Sequence, residues 1–434
     1  MIRHLPLFIN RKRREELKFT LARDALLRKE WFGCLVYIPF WPGIYQQFNH
    51  DAYQILRLLG QPIDDIRLLK SLHQSDVDIE QQDLTEFLIL LHDQGIIVDS
   101  DVALGTRSFY DKKTEFRHDC LVAPTSTTIY ITERCTKQCR HCVVRSSPNV
   151  DTAGEMNVSE WKTALGMLHD FGVCSLVFTG GEPFLKDGIL EILSAADVMK
   201  FGITLLTDYD GMNSSHVEFL KGLDHLLDVQ VSLDGANATT HEYLRGSGSF
   251  DNAIRRLELL GESGLRYTIS FTAHRGNVAE IDGVVELYHR YNASYLYINP
   301  LAPYGRAKET MRDQIFDDVE LGWLAHKYLD VVRHHDVNSG NPYWQYVAEE
   351  DKGDEFHPFR GALTAVSIGT YNLSLDCRGE CHLDSKMKSE GMLRLGNVLR
   401  DSMDSIWYNP VIDQLRDHYS PDEFSYVDQS VVRI

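Results

Sequence analysis

Three cysteines fall within eight residues, Cys135, Cys139 and Cys142 in the stretch ERCTKQCRHC. The CxxxCxxC spacing puts three thiols on one short loop, directly after the strand-like run TTIYIT. Thiolates so placed suit three corners of a cubane iron–sulfur cluster. No fourth cysteine is close by, since Cys120 sits upstream, on the other side of that strand. A cluster with three protein ligands leaves one iron open to an outside ligand, as a catalytic metal site keeps one position open. A zinc knuckle with His141 as fourth ligand is the competing chemistry. Against it, His141 and Cys142 are adjacent, and neighbours seldom converge on one tetrahedral ion. Cys377 and Cys381 form a second pair, four residues apart. Cys34, Cys120 and Cys174 stand apart and are expected as ordinary packed thiols.

Other reactive residue types recur at the ends of apolar runs. SLVFT leads into TGGEPF, where Gly180 and Gly181 let a backbone edge approach a ligand closely. Glu182 offers a carboxylate to an ammonium group; a simple turn is the alternative reading. ITLLT leads into TDYDG, with Thr207 and Asp208, and VQVSL into SLDG, with Ser232 and Asp234. Asp234-Gly235 is also a good turn. HEYLRGSGSFD carries Arg245, whose planar guanidinium suits a carboxylate or, more plainly, a surface ion pair. YLYIN leads into INPLAPYGRA, with Asn299 and Leu301.

Positioning these groups requires alternating strands and helices. Strands are expected at 127–132, 175–179, 203–207, 229–233, 267–272 and 295–299, with helices at 159–171, 187–201, 214–227, 250–263 and 278–291. Six such strands imply a parallel sheet with right-handed crossovers. Functional residues then gather at the C-terminal strand ends. Before this block, CLVYI and IYQQF form a hairpin about Pro42-Gly43. A helix follows with Asn49 or Asp51 as cap and Ala52, Ile55, Leu56 and Leu59 in one stripe; two more helices and the strand GIIVD complete a winged-helix-like pattern. The basic start, including Arg11–Arg14, is expected as a solvated amphipathic helix. The expected divisions are this segment (1–29), the winged-helix-like unit (30–104), a linker (105–125), the strand–helix core (126–310), a helical connector (311–354) and an irregular C-terminal unit (355–434).

Over about 126–307 the spacing and strand-end motifs resemble the radical S-adenosylmethionine (SAM) superfamily. The resemblance implies an α/β fold, a partial (β/α)6 TIM-like barrel. It also implies a [4Fe-4S] cluster on Cys135, Cys139 and Cys142, and SAM as cofactor. Gly180, Gly181 and Glu182 match the motif that binds the SAM amino group. Thr207 and Asp208 match pocket-lining positions. Ser232 and Asp234 match SAM contacts, Arg245 the partner of the SAM carboxylate, and the backbone near Asn299 and Leu301 the adenine contact. One-electron cleavage of SAM would give a 5′-deoxyadenosyl radical that takes a hydrogen from the substrate. The N-terminal unit resembles the PqqD-like leader-recognition domain of ribosomal-peptide maturation enzymes, which implies a precursor peptide with a leader as partner. LSLDCRGECHL with LGNVLRDSMDSIW resembles the auxiliary-cluster (SPASM/twitch-like) extension of peptide-modifying members, with Cys377 and Cys381 as ligands. That extension normally uses seven cysteines; here Phe359-Arg360-Gly361 stands where its first would be, and no cysteine follows Trp407. The reduced extension leaves room for one small or incompletely ligated auxiliary iron–sulfur cluster, assisted by His382 or Asp384, or for none.

Composition agrees with a soluble enzyme. The 434 residues carry 44 Lys/Arg against 63 Asp/Glu, a net charge of −19, which argues against general nucleic-acid binding. No apolar run reaches the roughly 18 residues of a membrane span. The start lacks a signal-peptide core, so a cytoplasmic location is expected. The reading is a peptide-modifying radical SAM enzyme supplied with electrons by a donor such as flavodoxin or ferredoxin. Action on a small metabolite or an intact protein, and a zinc-stabilised peptide- or nucleic-acid-binding protein, are the alternatives. The bond made or broken is not written in any motif.

Overall fold

The computed structural model describes residues 18–40, 43–75, 77, 79–99, 108–111, 120–339, 372–383, 394–412 and 431–432. The chain forms two compact units, residues 1–122 with 424–434 and residues 123–423.

The first unit begins with strands β1 (Phe19–Leu21) and β2 (Leu26–Glu30), then β3 (Gly33–Ile38) and β4 (Ile44–Phe48). β2, β3 and β4 pair antiparallel in succession. Helices α1 (His50–Leu58), α2 (Asp65–His73) and α3 (Gln81–Asp93) lead to β5 (Ile97–Asp99), which pairs antiparallel with β1. Asn49 caps α1 by accepting from the Ala52 N–H, and Ala52, Ile55 and Leu56 are its buried stripe. Two expectations are corrected. Part of the basic segment is strand, not helix: Asp24 takes a left-handed φ of 55° between β1 and β2. The charges on β2 also turn inward, since Arg28 and Glu30 are both fully buried and paired at 2.7 Å. Polar residues paired inside a sheet imitate a solvated helix in composition. Arg11–Arg14 lie outside the described residues. The stretch expected as a linker contributes β6 (Ser108–Tyr110), parallel to β2. A two-residue strand, Val431–Val432, runs parallel to the end of β4.

The second unit alternates β7 (Ser126–Tyr130), α4 (Val158–Phe171), β8 (Ser175–Thr179), α5 (Ile189–Val198), β9 (Gly202–Leu206), α6 (Ser214–Lys221), β10 (Leu226–Ser232), α7 (Ala238–Arg245), α8 (Ser249–Ser263), β11 (Thr268–Ala273), α9 (Ile281–Arg290) and β12 (Tyr295–Pro300). β7 to β12 are parallel neighbours in chain order, the open parallel sheet of a partial barrel. Alternate residues of these strands, Ile129, Phe178, Leu205, Val231, Phe271 and Ile298, are buried in the main hydrophobic core. Helix α7 was not expected; Asn237 caps it through the Thr240 N–H, and the glycines after Arg245 end it. α6 stops early because β10 already begins at Leu226.

Helices α10 (Ala307–Thr310) and α11 (Asp318–His334) follow. The C-terminal part, expected to be irregular, has strands β13 (Asn372–Leu375), β14 (Glu380–His382) and β15 (Arg394–Asn397) and a short helix α12 (Met403–Trp407). β13 runs parallel to β7 and extends the main sheet, with β14 and β15 added antiparallel. Leu373 and Leu375 alternate into the core, and this period-two burial makes the segment a strand. Among the described residues no helix is long and apolar enough to cross a membrane.

Candidate functional site

A cavity of about 330 Å³ opens at the C-terminal ends of β7 to β11. Its wall contains all three clustered cysteines and, of the other expected site residues, Gly180, Gly181, Thr207, Asp208, Ser232 and Arg245. The strand period explains the choice. While Ile129, Phe178 and Val231 face the core, Tyr130, Thr179, Gln230, Ser232 and Ser270 take the opposite face and line the cavity.

The cysteine loop is fixed against the end of β8. Gly181 N–H donates to Thr132 O (2.7 Å), Glu182 N–H to Arg134 O (2.8 Å) and Cys135 N–H to Ser147 O (3.2 Å). Gly180 has φ of +133°, and a Cβ on Gly181 would fall 2.0 Å from Arg134 O. The close backbone approach expected of these glycines is thus realised first against the cysteine loop itself. Gly181→Ala must push the two loops apart. We expect a loss of about 1–3 kcal/mol, the range for forced overpacking, read as a lowered Tm; an unchanged Tm would show that the contact is slack.

Burial raises the thiol pKa of Cys135 to about 11 and of Cys139 to about 12. Both are therefore protonated when free, and loading a metal must displace their protons. The three thiols surround the cavity, and among the described residues no group of three or more His, Cys, Asp or Glu converges on a single-ion position. Three cysteines on one cavity wall are a donor set that fits a cubane iron–sulfur cluster with one open corner. His141 does not serve as the fourth zinc ligand imagined from sequence. Its Nε2 lies 3.3 Å from an Arg245 amino group and 4.0 Å from Asp234 Oδ2. Burial, then the Arg245 charge, lowers its pKa to about 4, so the ring is neutral.

Beside the cysteines lies a ladder of paired charges. Arg245 bonds Asp234 through Nε (2.5 Å) and Asp208 through a second arm. Arg256 bonds Asp208 (3.1 Å) and Asp210 (2.9 Å), and Lys137, inside the CxxxCxxC loop, bonds Asp210 (2.7 Å) and the Asp208 carbonyl (2.8 Å). Burial alone would raise the Asp208 pKa, but Arg245, Arg256 and Lys137 hold it well below the usual carboxylate range. Asp234 is likewise depressed against burial, chiefly by Arg245.

The remaining expected residues lie elsewhere. Glu182 is 1% exposed and absent from the cavity wall. Its carboxylate accepts from Thr207 Oγ1 (2.7 Å), Phe184 N–H (3.1 Å) and Asp208 N–H (2.7 Å), tying the end of β8 to the end of β9. Burial brings its pKa up to about 7. Asp234 is fully buried behind Arg245. Asn299 sits on β12 opposite Thr272, and Leu301 packs with Leu244, Ala307 and Met311. Cys377 and Cys381 are both 0% exposed in the core, away from the cavity wall. Cys377 O accepts from Met156 N–H just before α4 (2.7 Å), and Arg378, in the turn between the two cysteines, bonds Glu133 at the start of the cysteine loop (2.8 Å). His382 Nε2 is 4.0 Å from Asp376 Oδ2; Asp384 lies outside the described residues. Lys137, Tyr130, Gln230 and Ser270 were missed from sequence. Period-two alternation could have found the last three, since each falls on the polar register of its strand.

Residues 129–312 match the model of the Radical SAM superfamily. The chain is 24% identical over 383 residues to the antilisterial bacteriocin subtilosin biosynthesis protein AlbA of Bacillus subtilis, covering 87% of this chain and 80% of that one. It is 33% identical over 194 residues to the mycofactocin maturase MftC of Mycobacterium tuberculosis, covering 44% and 49%. Among solved structures, Streptococcus suis SuiB bound to S-adenosylmethionine superposes with a TM-score of 0.68 at 16% identity, over 92% of this chain and 90% of that one. SuiB bound to its precursor peptide SuiA gives 0.67 at 17% identity, over the same shares. At these identities the likeness to SuiB is one of fold: a mostly parallel α/β sheet in a partial barrel.

Proposed function

We propose, from the premise that residues 129–312 are a radical SAM domain, that this enzyme modifies a ribosomally made precursor peptide. The observation that carries the chemistry is the shared wall of one cavity, where Cys135, Cys139 and Cys142 face Gly180, Gly181 and Arg245. The peptide substrate is supported by the relatives, two of which are by name a bacteriocin biosynthesis protein and a maturase.

Cys135, Cys139 and Cys142 would hold the [4Fe-4S] cluster, and a bound cluster would supply the electron for reductive SAM cleavage. The chain's own residues bind and orient. Gly180 and Gly181 keep the β8 end free of side chains where the amino group is received. Arg245 is anchored by two aspartates and offers its outer edge to the SAM carboxylate. Thr207, Asp208 and Ser232 bound the pocket beside it, and the neutral His141 keeps a second positive charge away from the guanidinium. Glu182 and Asp234 act from behind, the first fixing two strand ends and the second holding Arg245. The backbone near Asn299 and Leu301, outside the cavity wall, would face the adenine. Gln230 and Ser270, deeper on the polar register, are placed to meet the substrate.

The first unit would recognise the leader, which adds as a strand to its sheet. The C-terminal part would be a reduced SPASM/twitch-like extension. All eight cysteines are in the described residues, and six of them lie elsewhere, so an auxiliary cluster there would draw at most two thiolates, Cys377 and Cys381, from this chain. Reducing equivalents would come from flavodoxin or ferredoxin in the cytoplasm.

Anaerobic incubation with the precursor peptide should produce a mass change in that peptide. Removing the leader should abolish the change while SAM cleavage without peptide persists. Equal modification of leaderless peptide would shift the assignment to a metabolite or intact-protein substrate.

A further inference from the structure

Arg306 lies in the turn after β12, and it engages the backbone of two of the three clustered cysteines. Its N–H donates to Cys142 O (3.0 Å). One guanidinium arm donates to Cys139 O and the other to Ser146 O (2.6 Å). The preceding residue makes the approach feasible: Gly305 has φ of +57°, and a Cβ there would fall 2.1 Å from Val143 O and 2.6 Å from Cys142 O. Arg145 returns a bond from the loop to Gly305 O (3.0 Å), and Thr310 Oγ1, on α10, donates to Arg140 O (3.0 Å). The cysteine loop is thus clamped to the β12–α10 turn by backbone and side chain together.

We propose that Arg306 is a positioning residue for the iron–sulfur cluster, holding Cys139 and Cys142 in register through their carbonyls and setting the ease of cluster reduction with its fixed charge. The proposal rests on the assignment of the three cysteines as ligands. Two physical effects follow. First, both carbonyls are charge-linked or backbone-linked to one residue, so the ligand loop cannot open without breaking these bonds. A hydrogen bond to a charged group contributes about 1.5–3 kcal/mol, which corresponds to about a tenfold or larger change in the rate of loop opening. Second, reduction would add one negative charge to the cluster, and a partly buried cation bonded to the cysteine loop from the β12–α10 turn stabilises that state. Removing the charge disfavours reduction.

The test uses the full chain, purified and reconstituted anaerobically, with three forms: unmodified, Arg306→Met and Arg306→Lys. Midpoint potential is read by redox titration of the reduced cluster's electron paramagnetic resonance signal, and cluster loss by the rate of iron release to a chelator. Arg306→Met is expected to shift the midpoint to more negative potential and to release iron about tenfold faster. Arg306→Lys keeps the charge but not the two-armed grip. It is expected to hold the midpoint of the unmodified chain while still releasing iron faster. Should Arg306→Met not fold, Arg306→Lys decides alone: iron release as slow as in the unmodified chain overturns the clamp. Arg306→Met with unchanged midpoint and unchanged release overturns the proposal entirely. Iron absent from the unmodified chain would instead remove the cluster assignment beneath it.

Discussion

Replacing Cys139 with alanine is expected to reduce SAM cleavage to the level of an enzyme-free control. Cys139 is the middle one of the three proposed ligands, walls the cavity, and has the more strongly raised of the two shifted thiol pKa values in the loop, at about 12 by burial. With two thiolates left, a cubane loses a second iron corner to solvent and is no longer held as a unit. His141 is not placed to take over, because it faces Arg245 and Asp234. The fold should survive: the loop backbone is tied by the Thr132, Arg134 and Ser147 carbonyls, none of which involves the Cys139 sulfur. Circular dichroism and precursor binding are therefore expected to match the unmodified chain while 5′-deoxyadenosine formation vanishes. Full 5′-deoxyadenosine production by the variant would refute the cluster site.

Arg245→Met should be the most destabilising single change at the cavity. It leaves Asp234, fully buried, without the guanidinium at 2.5 Å, and strips Asp208 of one of its three cationic neighbours. Breaking one side of a buried charge pair costs about 3–5 kcal/mol. Arg245→Lys is expected to recover only part of this, because one ammonium cannot fork between two carboxylates as the planar guanidinium does. The pair also fixes an acid sensitivity. Asp208 and Asp234 titrate lower in the folded chain than their ordinary 3.8. The unfolded chain therefore binds more protons at low pH, and their stabilisation, complete above the unfolded value, is lost as pH falls below about 3.8 toward the folded values. Thermal melts of the unmodified chain should show this decline, and Arg245→Met should flatten it. A variant whose Tm equals that of the unmodified chain at pH 7 would contradict the network.

The parts of this molecule that were legible in sequence are those with a linear signal. The parallel strands announce themselves by β-branched runs alternating with helical stripes, and β8 was placed to the residue. The cysteine loop and the glycines share one cavity because each immediately follows a strand, and parallel strands deliver such residues to one end. What was not legible depends on partners distant in sequence. Arg28 and Glu30 look like helix surface until they are seen to pair inside a sheet. β13 becomes a strand only because β7, some 245 residues earlier, offers it a parallel edge. Glu182 carries the right chemistry for an ammonium group, yet Thr207 and Asp208 at the end of β9, with Phe184 N–H of its own turn, claim its oxygens. Arg306 carries no motif at all, and its grip on Cys139 and Cys142 exists only in three dimensions.

The central claim, that Cys135, Cys139 and Cys142 hold a [4Fe-4S] cluster, is tested most directly by metal and sulfide analysis of the chain after anaerobic purification. At least about four iron and four sulfide per chain are expected, with the iron lost on Cys139→Ala. About one zinc per chain, without iron or sulfide, would contradict the account.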